Sequence, residues 1–252
     1  MRFEEPPSDE TLRKLIDEAR ARGEETVTVE TAREAGDAWV RAGFREQARV
    51  LEASIDALEQ RLTSDKAPSY GSVHVQTDDL DGVVRAVRQF VPRLPGGSRG
   101  SVVAPPRNGW IAVYDELTDR NPEMLRRLAR ELSDRMGAVV LHLGVEEGQV
   151  VRFVLFERGR LMDEYLSVPE YYGEVPPGDV ISLAANPTVV ARLTGADPGE
   201  VRRVVLTAGS PDELPSADEL AGSVASVLGV EGGDHGYERA GEIPGAVDVP
   251  RE

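Results

Sequence analysis

Three histidines, His74, His142 and His235, are the side chains of this 252-residue sequence whose ordinary pKa lies closest to neutral pH. His235 falls in an acidic, Gly- and Pro-rich terminal stretch and is not expected to be catalytic. His74 and His142 sit inside apolar runs, SVHVQT (72–77) and AVVLHLGV (138–145), that read as β-strands. If Val73 and Val75 face the core, His74 and Gln76 face the other way, because side chains alternate along a strand. The same reasoning applied to WIAVY (110–114), with Ile111 and Val113 inward, turns Trp110, Ala112 and Tyr114 to the side of His74. With Leu141 inward, His142 joins them. The candidate ligand-binding residues are therefore His74, Trp110, Tyr114 and His142 on one sheet face. Two imidazoles on adjacent strands could hold a metal, a carboxylate or a proton in transit. The competing reading is that helices cover this face and both rings are hydrogen-bonded interior groups.

Other chemistry-bearing patterns are weaker. Gly96-Gly97-Ser98-Arg99-Gly100 matches the G-x-S-x-G nucleophile elbow, but a helix precedes it and a strand follows, the reverse of what strains that turn. The same glycines lack the following lysine and helix N-terminus of a phosphate loop, so a mobile loop is expected. Acidic clusters at Asp78-Asp79-Asp81, Asp115-Glu116 and Asp163-Glu164 could bind a divalent cation or act as acid and base; helix capping and solvated loops are the competing reading. The absence of cysteine removes thiolate nucleophiles, zinc–thiolate sites and iron–sulfur clusters. No catalytic residue, metal site or cofactor is assigned from sequence.

The elements that would position these residues follow from periodicity and punctuation. The strand at 72–77 leads into a helix at 79–91, with Leu80, Val83, Val84, Val87 and Val91 on one face. Strands at 101–104 and 110–114 flank an Asn108-Gly109 turn. A helix opens at Asn121-Pro122 and closes at Gly137. Strands at 138–145, 149–156 and 160–166 form a meander. The order is β-α-β-β-α-β with two extra strands, an α+β class with a ferredoxin-like core. Further helices are expected from Asn186-Pro187 to Gly195, from Asp197-Pro198 to near Gly209, and from Ser216 to Gly229.

Ahead of this core, Ser8 caps a helix ending at Gly23, and a longer helical region covers about 29–62 with an apolar stripe from Val40 to Leu62. Within it AGDAWVRAGFREQA (35–48) resembles part of a tetratricopeptide repeat, through Gly36, Trp39, Gly43 and Ala48. A solenoid needs several such units, so a helical hairpin is the reading. Its stripe calls for a partner surface, either the sheet face or a second copy in a homodimer. The stretches APPRNGWIAVYDE and VVRFVLFERGRLMDEYLSVPEYYG resemble hypothetical proteins of high-GC bacteria, a resemblance that implies no activity.

The expected organisation is an N-terminal helical arm and linker (1–69), the α+β domain (70–168), a C-terminal helical segment (169–230) and an acidic flexible tail (231–252). The formal net charge is −16, and half of it lies in residues 210–252. Such a surface repels phosphate backbones, so neither nucleic acid nor an anionic membrane is an expected partner. The first residues lack the basic start and apolar run of a signal peptide, no run spans a membrane, and the cysteine-free composition fits the cytoplasm. The leading expectation is a soluble, non-catalytic ligand- or protein-binding regulatory protein, its partner an unidentified protein or small molecule. The alternative is a small-molecule enzyme or ligand sensor using the His74/Trp110/Tyr114/His142 face. RNA recognition on the sheet ranks third, because the charge opposes it.

Overall fold

The computed structural model describes residues 69–94 and 97–250. The helices expected at 9–23 and 29–62, with the tetratricopeptide-like segment, lie outside the described residues. The described residues all fall in one compact unit, so the C-terminal helices belong to the same body as the sheet.

The class is α+β, with seven strands in one antiparallel sheet. They are β1 (Tyr70–Gln76), β2 (Gly100–Val103), β3 (Trp110–Asp115), β4 (Val139–Glu146), β5 (Val150–Glu157), β6 (Arg160–Leu166) and β7 (Val247–Pro250). The spatial order is β6-β5-β4-β1-β3-β2-β7, and every neighbouring pair is antiparallel. The β2–β3 turn uses Asn108 and Gly109 at φ 52° and 78°, the left-handed pair that a tight hairpin demands.

Two helices cross one face. α1 (Leu80–Phe90) is capped by the Asp79 carboxylate, which accepts from the Gly82 amide at 2.9 Å. A short α2 (Glu116–Arg120) leads into α3 (Pro122–Met136), which is capped by Asn121 and stopped by Gly137 at φ 61°. Between these helices and the sheet lie Val73, Val75, Val83, Val87, Ile111, Val113, Leu128, Leu132, Val140 and Val154, all fully buried. Each such aliphatic side chain contributes about 1.5–3 kcal/mol on leaving water.

The opposite face is closed as well. α4 (Pro177–Ser182), α5 (Pro187–Thr194), α6 (Pro198–Val204) and α7 (Ala217–Leu228) follow β6. Val190, Leu193, Val201, Leu220, Val224 and Leu228 from this group pack on Leu141, Leu143, Phe153, Leu155 and Tyr165. This covers the β4–β5–β6 half together with Trp110 of β3 and the Gln76 end of β1. The rest of the β1–β3–β2 half is covered by residues 230–246, which include the single turn α8 (Tyr237–Ala240) and set Ala240, Tyr237 and Ile243 against Val102, Ala112 and Tyr114. β7 then pairs with the edge of β2, and Val249 enters the core under α1.

The 231–252 segment therefore departs from the flexible tail expected: through residue 250 it is a turn of helix and an edge strand. Composition misleads here because the anchoring is done by backbone pairing and a few small apolar residues. α6 also ends at Val204 instead of near Gly209, because the backbone leaves helical geometry at Val205 (φ −82°, ψ 67°), whose amide donates to the Val201 carbonyl. Among the described residues no helix is long and apolar enough to cross a membrane.

Candidate functional site

The β1 and β3 registers pair His74 with Ala112 and Gln76 with Trp110, so His74, Trp110 and Tyr114 share one face as alternation required. His142 does not join them. Its partner on β1 is Val73, while Leu141 pairs with His74, so His142 points toward α1 and α3. The reason is that β4 is buried on both sides: Val140 and His142 face one core, Leu141 and Leu143 the other. A strand buried on both faces carries no polar–apolar alternation to read.

None of the four side chains lies on an open face. His74 and Tyr114 are 0% exposed, His142 1% and Trp110 4%. The His74 Nε2 lies 2.8 Å from the Ser72 hydroxyl oxygen, and its Nδ1 has no partner. Burial, reinforced by the neighbouring His235, pushes the His74 pKa down to about 3. His142 Nδ1 is likewise without a partner; burial first, then the guanidiniums of Arg152 and Arg126, holds this ring at about 3. At neutral pH both imidazoles are uncharged.

The third histidine, expected to be a bystander, is the one that completes the His74 side. The His235 ring stacks on Tyr114 with centroids 5.5 Å apart and planes 7° from parallel. The Tyr114 hydroxyl donates to the Gly232 carbonyl at 3.0 Å, and the Asp234 carboxylate lies 3.1 Å from His235 Nδ1. Asp119 ties the covering segment to the sheet: its carboxylate accepts from the Gly71 amide at 3.1 Å and the Tyr237 amide at 2.8 Å. Burial, only partly offset by those two donors, raises the Asp119 pKa to about 6. Two buried glycines set the fit. A Cβ on Gly233 would lie 2.7 Å from Leu143 Cδ2 and 2.9 Å from Ala225 Cβ, and one on Gly236 would collide with the Asp119 carboxylate.

No family model, no curated protein and no solved structure matches this chain. What the site does must come from its own chemistry.

The remaining polar groups are committed to the fold. Ser98 donates to the Asp115 carboxylate at 2.8 Å and Ser101 at 2.5 Å, and Asp115 caps α2 by accepting from the Leu117 amide at 3.0 Å. The serine of the G-x-S-x-G pattern is thus a buried ligand of a carboxylate, with no histidine among its partners. Asp79 is a cap, and Asp163 accepts from the Asn186 amide at 2.8 Å. Arg152 lies between Glu146 and Glu164 at 2.7 and 2.8 Å, and Arg126 also meets Glu164 at 2.7 Å. A groove between α1 and α3, lined by Asp79, Arg85, Gln89 and Arg135, has no histidine in its lining. Among the described residues no group of three or more His, Asp or Glu could hold a metal ion.

The missed residues are Asp119, Gly232, Gly233, His235 and Gly236. Their one sequence signal is the G-G-x-x-G spacing around a lone imidazole in EGGDHGY (231–237). In this arrangement the buried, uncharged His74 resists protonation. The arrangement has a ring to stack on, a hydroxyl to donate, a carboxylate to receive an amide, and a strand edge to extend.

Proposed function

We propose that this chain is a non-catalytic, protein-binding regulatory protein of the cytoplasm, built on a ferredoxin-like core, whose recognition face is the His74–Trp110–Tyr114 side of β1 and β3. Support for the ferredoxin-like reading comes from the central order β4-β1-β3-β2 with α1 and α3 on one face. The observation that carries the functional reading is the way this half-face is closed. Trp110 and the β4–β5–β6 half lie under packed helices; His74 and Tyr114 lie under a strap anchored by one hydroxyl, one ring stack, one carboxylate and a four-residue edge strand. Strand addition to an edge combined with pockets for selected side chains is a recurring way for a sheet to hold a peptide. Here the chain's own 230–250 takes that role.

Amide hydrogen exchange tests the reading. Local opening of weakly anchored segments proceeds well below the global unfolding free energy. The amides of 232–237 and β7 are expected to exchange at least a hundredfold faster than those of β1 and β4. Equal protection would mean that the face is exposed only by global unfolding, and the proposal would be lost. A second reading, a small-molecule enzyme or sensor, draws on the Asp234–His235 pair beside the Tyr114 hydroxyl. It requires a small ligand to move the His235 ring resonances with the strap still closed.

A further inference from the structure

The strap fits its seat in shape and opposes it in charge. Between residues 231 and 250 it carries Glu231, Asp234, Glu238, Glu242 and Asp248 against one base, Arg239. The surface beneath and beside it presents further carboxylates: Asp119 under Tyr237 and Gly236, Asp218 at the Tyr70 hydroxyl (2.7 Å), and Asp115 close enough to raise the pKa of both Asp119 and Tyr237. Across the interface, Asp234 of the strap acts on Tyr70 and Tyr114 and Glu238 acts on Asp119, each as a like or proton-retaining charge on its neighbour. The opposing cations are Arg239, which acts on Tyr70, and Arg99, which acts on Tyr237. Like charges across an interface disfavour the contact and speed its release.

Resting on the binding reading above, we propose that the strap is a deliberately poor self-ligand, and that the face it covers takes in trans a basic, glycine-spaced extended segment of a partner protein. Such a segment would repeat the strap's backbone pairing on the β2 edge. It would place a flat ring on Tyr114 and donate an amide to Asp119. Glycines would be required where Leu143, Ala225 and Asp119 leave no room for a side chain. It would meet the carboxylates with lysine or arginine where the strap brings more carboxylates. Only such an electrostatic gain lets an intermolecular segment compete, because a tethered strap enjoys an effective concentration in the millimolar range. Poor charge matching in the resident segment is therefore what makes exchange feasible.

The experiment uses the full chain and varies only a labelled peptide, so no protein variant has to fold. Three peptides are compared by fluorescence anisotropy at low ionic strength. They are the strap sequence 230–250, the same peptide carrying Glu231→Lys, Asp234→Lys, Glu238→Lys and Glu242→Lys, and a scrambled peptide with the composition of the second. The charge-reversed peptide is expected to bind at least tenfold tighter than either of the others. Gly233→Val and Gly236→Val within it should remove that advantage, and 0.5 M salt should weaken it. Hydrogen exchange on the complex should show the protein's own 232–250 amides deprotected. Equal binding of the scrambled peptide, or binding that leaves the strap protected, would overturn the proposal by assigning the affinity to general attraction to an acidic protein. If the strap opens locally in the free protein yet no peptide binds, this inference fails and the binding-face reading stands. If the strap never opens locally, the reading itself fails.

Discussion

Lowering the pH from 7 to 5 should destabilise this protein through His142, and the size of the effect can be worked from its burial. His142 is 1% exposed, faces the core under α1 and α3, and feels the charges of Arg126 and Arg152. Its folded pKa of about 3 lies below the ordinary 6.5, so the unfolded chain takes up the proton first. The neutral ring's full contribution is present above pH 6.5 and is lost as the pH falls toward 3, at about 1.4 kcal/mol per pH unit. By pH 5 the loss is about 2 kcal/mol. His74 behaves alike, with a folded pKa of about 3, and would double it. Asp119 acts in the opposite sense: its folded pKa of about 6 exceeds 3.8, so acidification through that window favours the folded state. The raised pKa values of Asp115 and Asp163 have the same sign. A difference measurement isolates the histidine. His142→Leu keeps the apolar volume and removes an unpartnered Nδ1, so at pH 7 it should be at least as stable as the parent. Urea unfolding of both proteins at pH 7, 6 and 5 should show the parent losing about 2 kcal/mol more than the variant. Parallel pH profiles would mean that the ring is hydrated or charged in the native state, and the account of its burial would be wrong.

Three further perturbations probe other parts of the structure. Asp115→Ala strands the Ser98 and Ser101 hydroxyls and the Leu117 amide in the interior, so denaturant titration should show a loss of about 3 kcal/mol. Arg152→Met leaves Glu146 and part of Glu164 without their cation in a largely buried place, and about 3 kcal/mol should be lost, with partial recovery when Glu146→Gln is added. Deleting 231–252 uncovers Tyr114, Val102 and the β2 edge and removes buried Ala240 and Val249. A thermal melt should fall by about 6–12 °C, equivalent to about 3 kcal/mol for a unit of this size; an unchanged melt would show that the strap contributes nothing.

The sheet core was legible because its local signals agree with one another. Asn121-Pro122 and Gly137 bracket α3, Asn108-Gly109 turns the β2–β3 hairpin, and period-two alternation in β1 and β3 sets His74, Trp110 and Tyr114 on one side. The candidate site was half legible. His142 was misplaced because Val140, Leu141, His142 and Leu143 are all buried, so burial pattern gives no parity. His235 was missed because a glycine-rich acidic stretch reads as unstructured until the face that receives it exists. The long-range fit of Gly233 against Leu143 and Ala225 has no local signature at all. β7 suffers likewise: Val247 and Val249 alone are too few to mark a strand, and only the waiting edge of β2 makes them one.

The hydrogen bond from Tyr114 to Gly232 joins residues 118 positions apart, and β7 reaches back to β2 across a still longer stretch of chain. Closing a loop of that length costs roughly 4 kcal/mol of chain entropy, which a few contacts cannot repay until their seat is already built. The seat contacts of the strap (Tyr114, Leu143 and the β2 edge from the sheet, Asp119 from α2) are themselves supplied by the assembled sheet and its helices. Refolding should accordingly run in two kinetic stages, with the sheet and its helices condensing first and the strap docking afterwards. Unfolding should reverse that order, so a short pulse of protease during denaturation would cut near Gly232 before it cuts anywhere in β1 to β6.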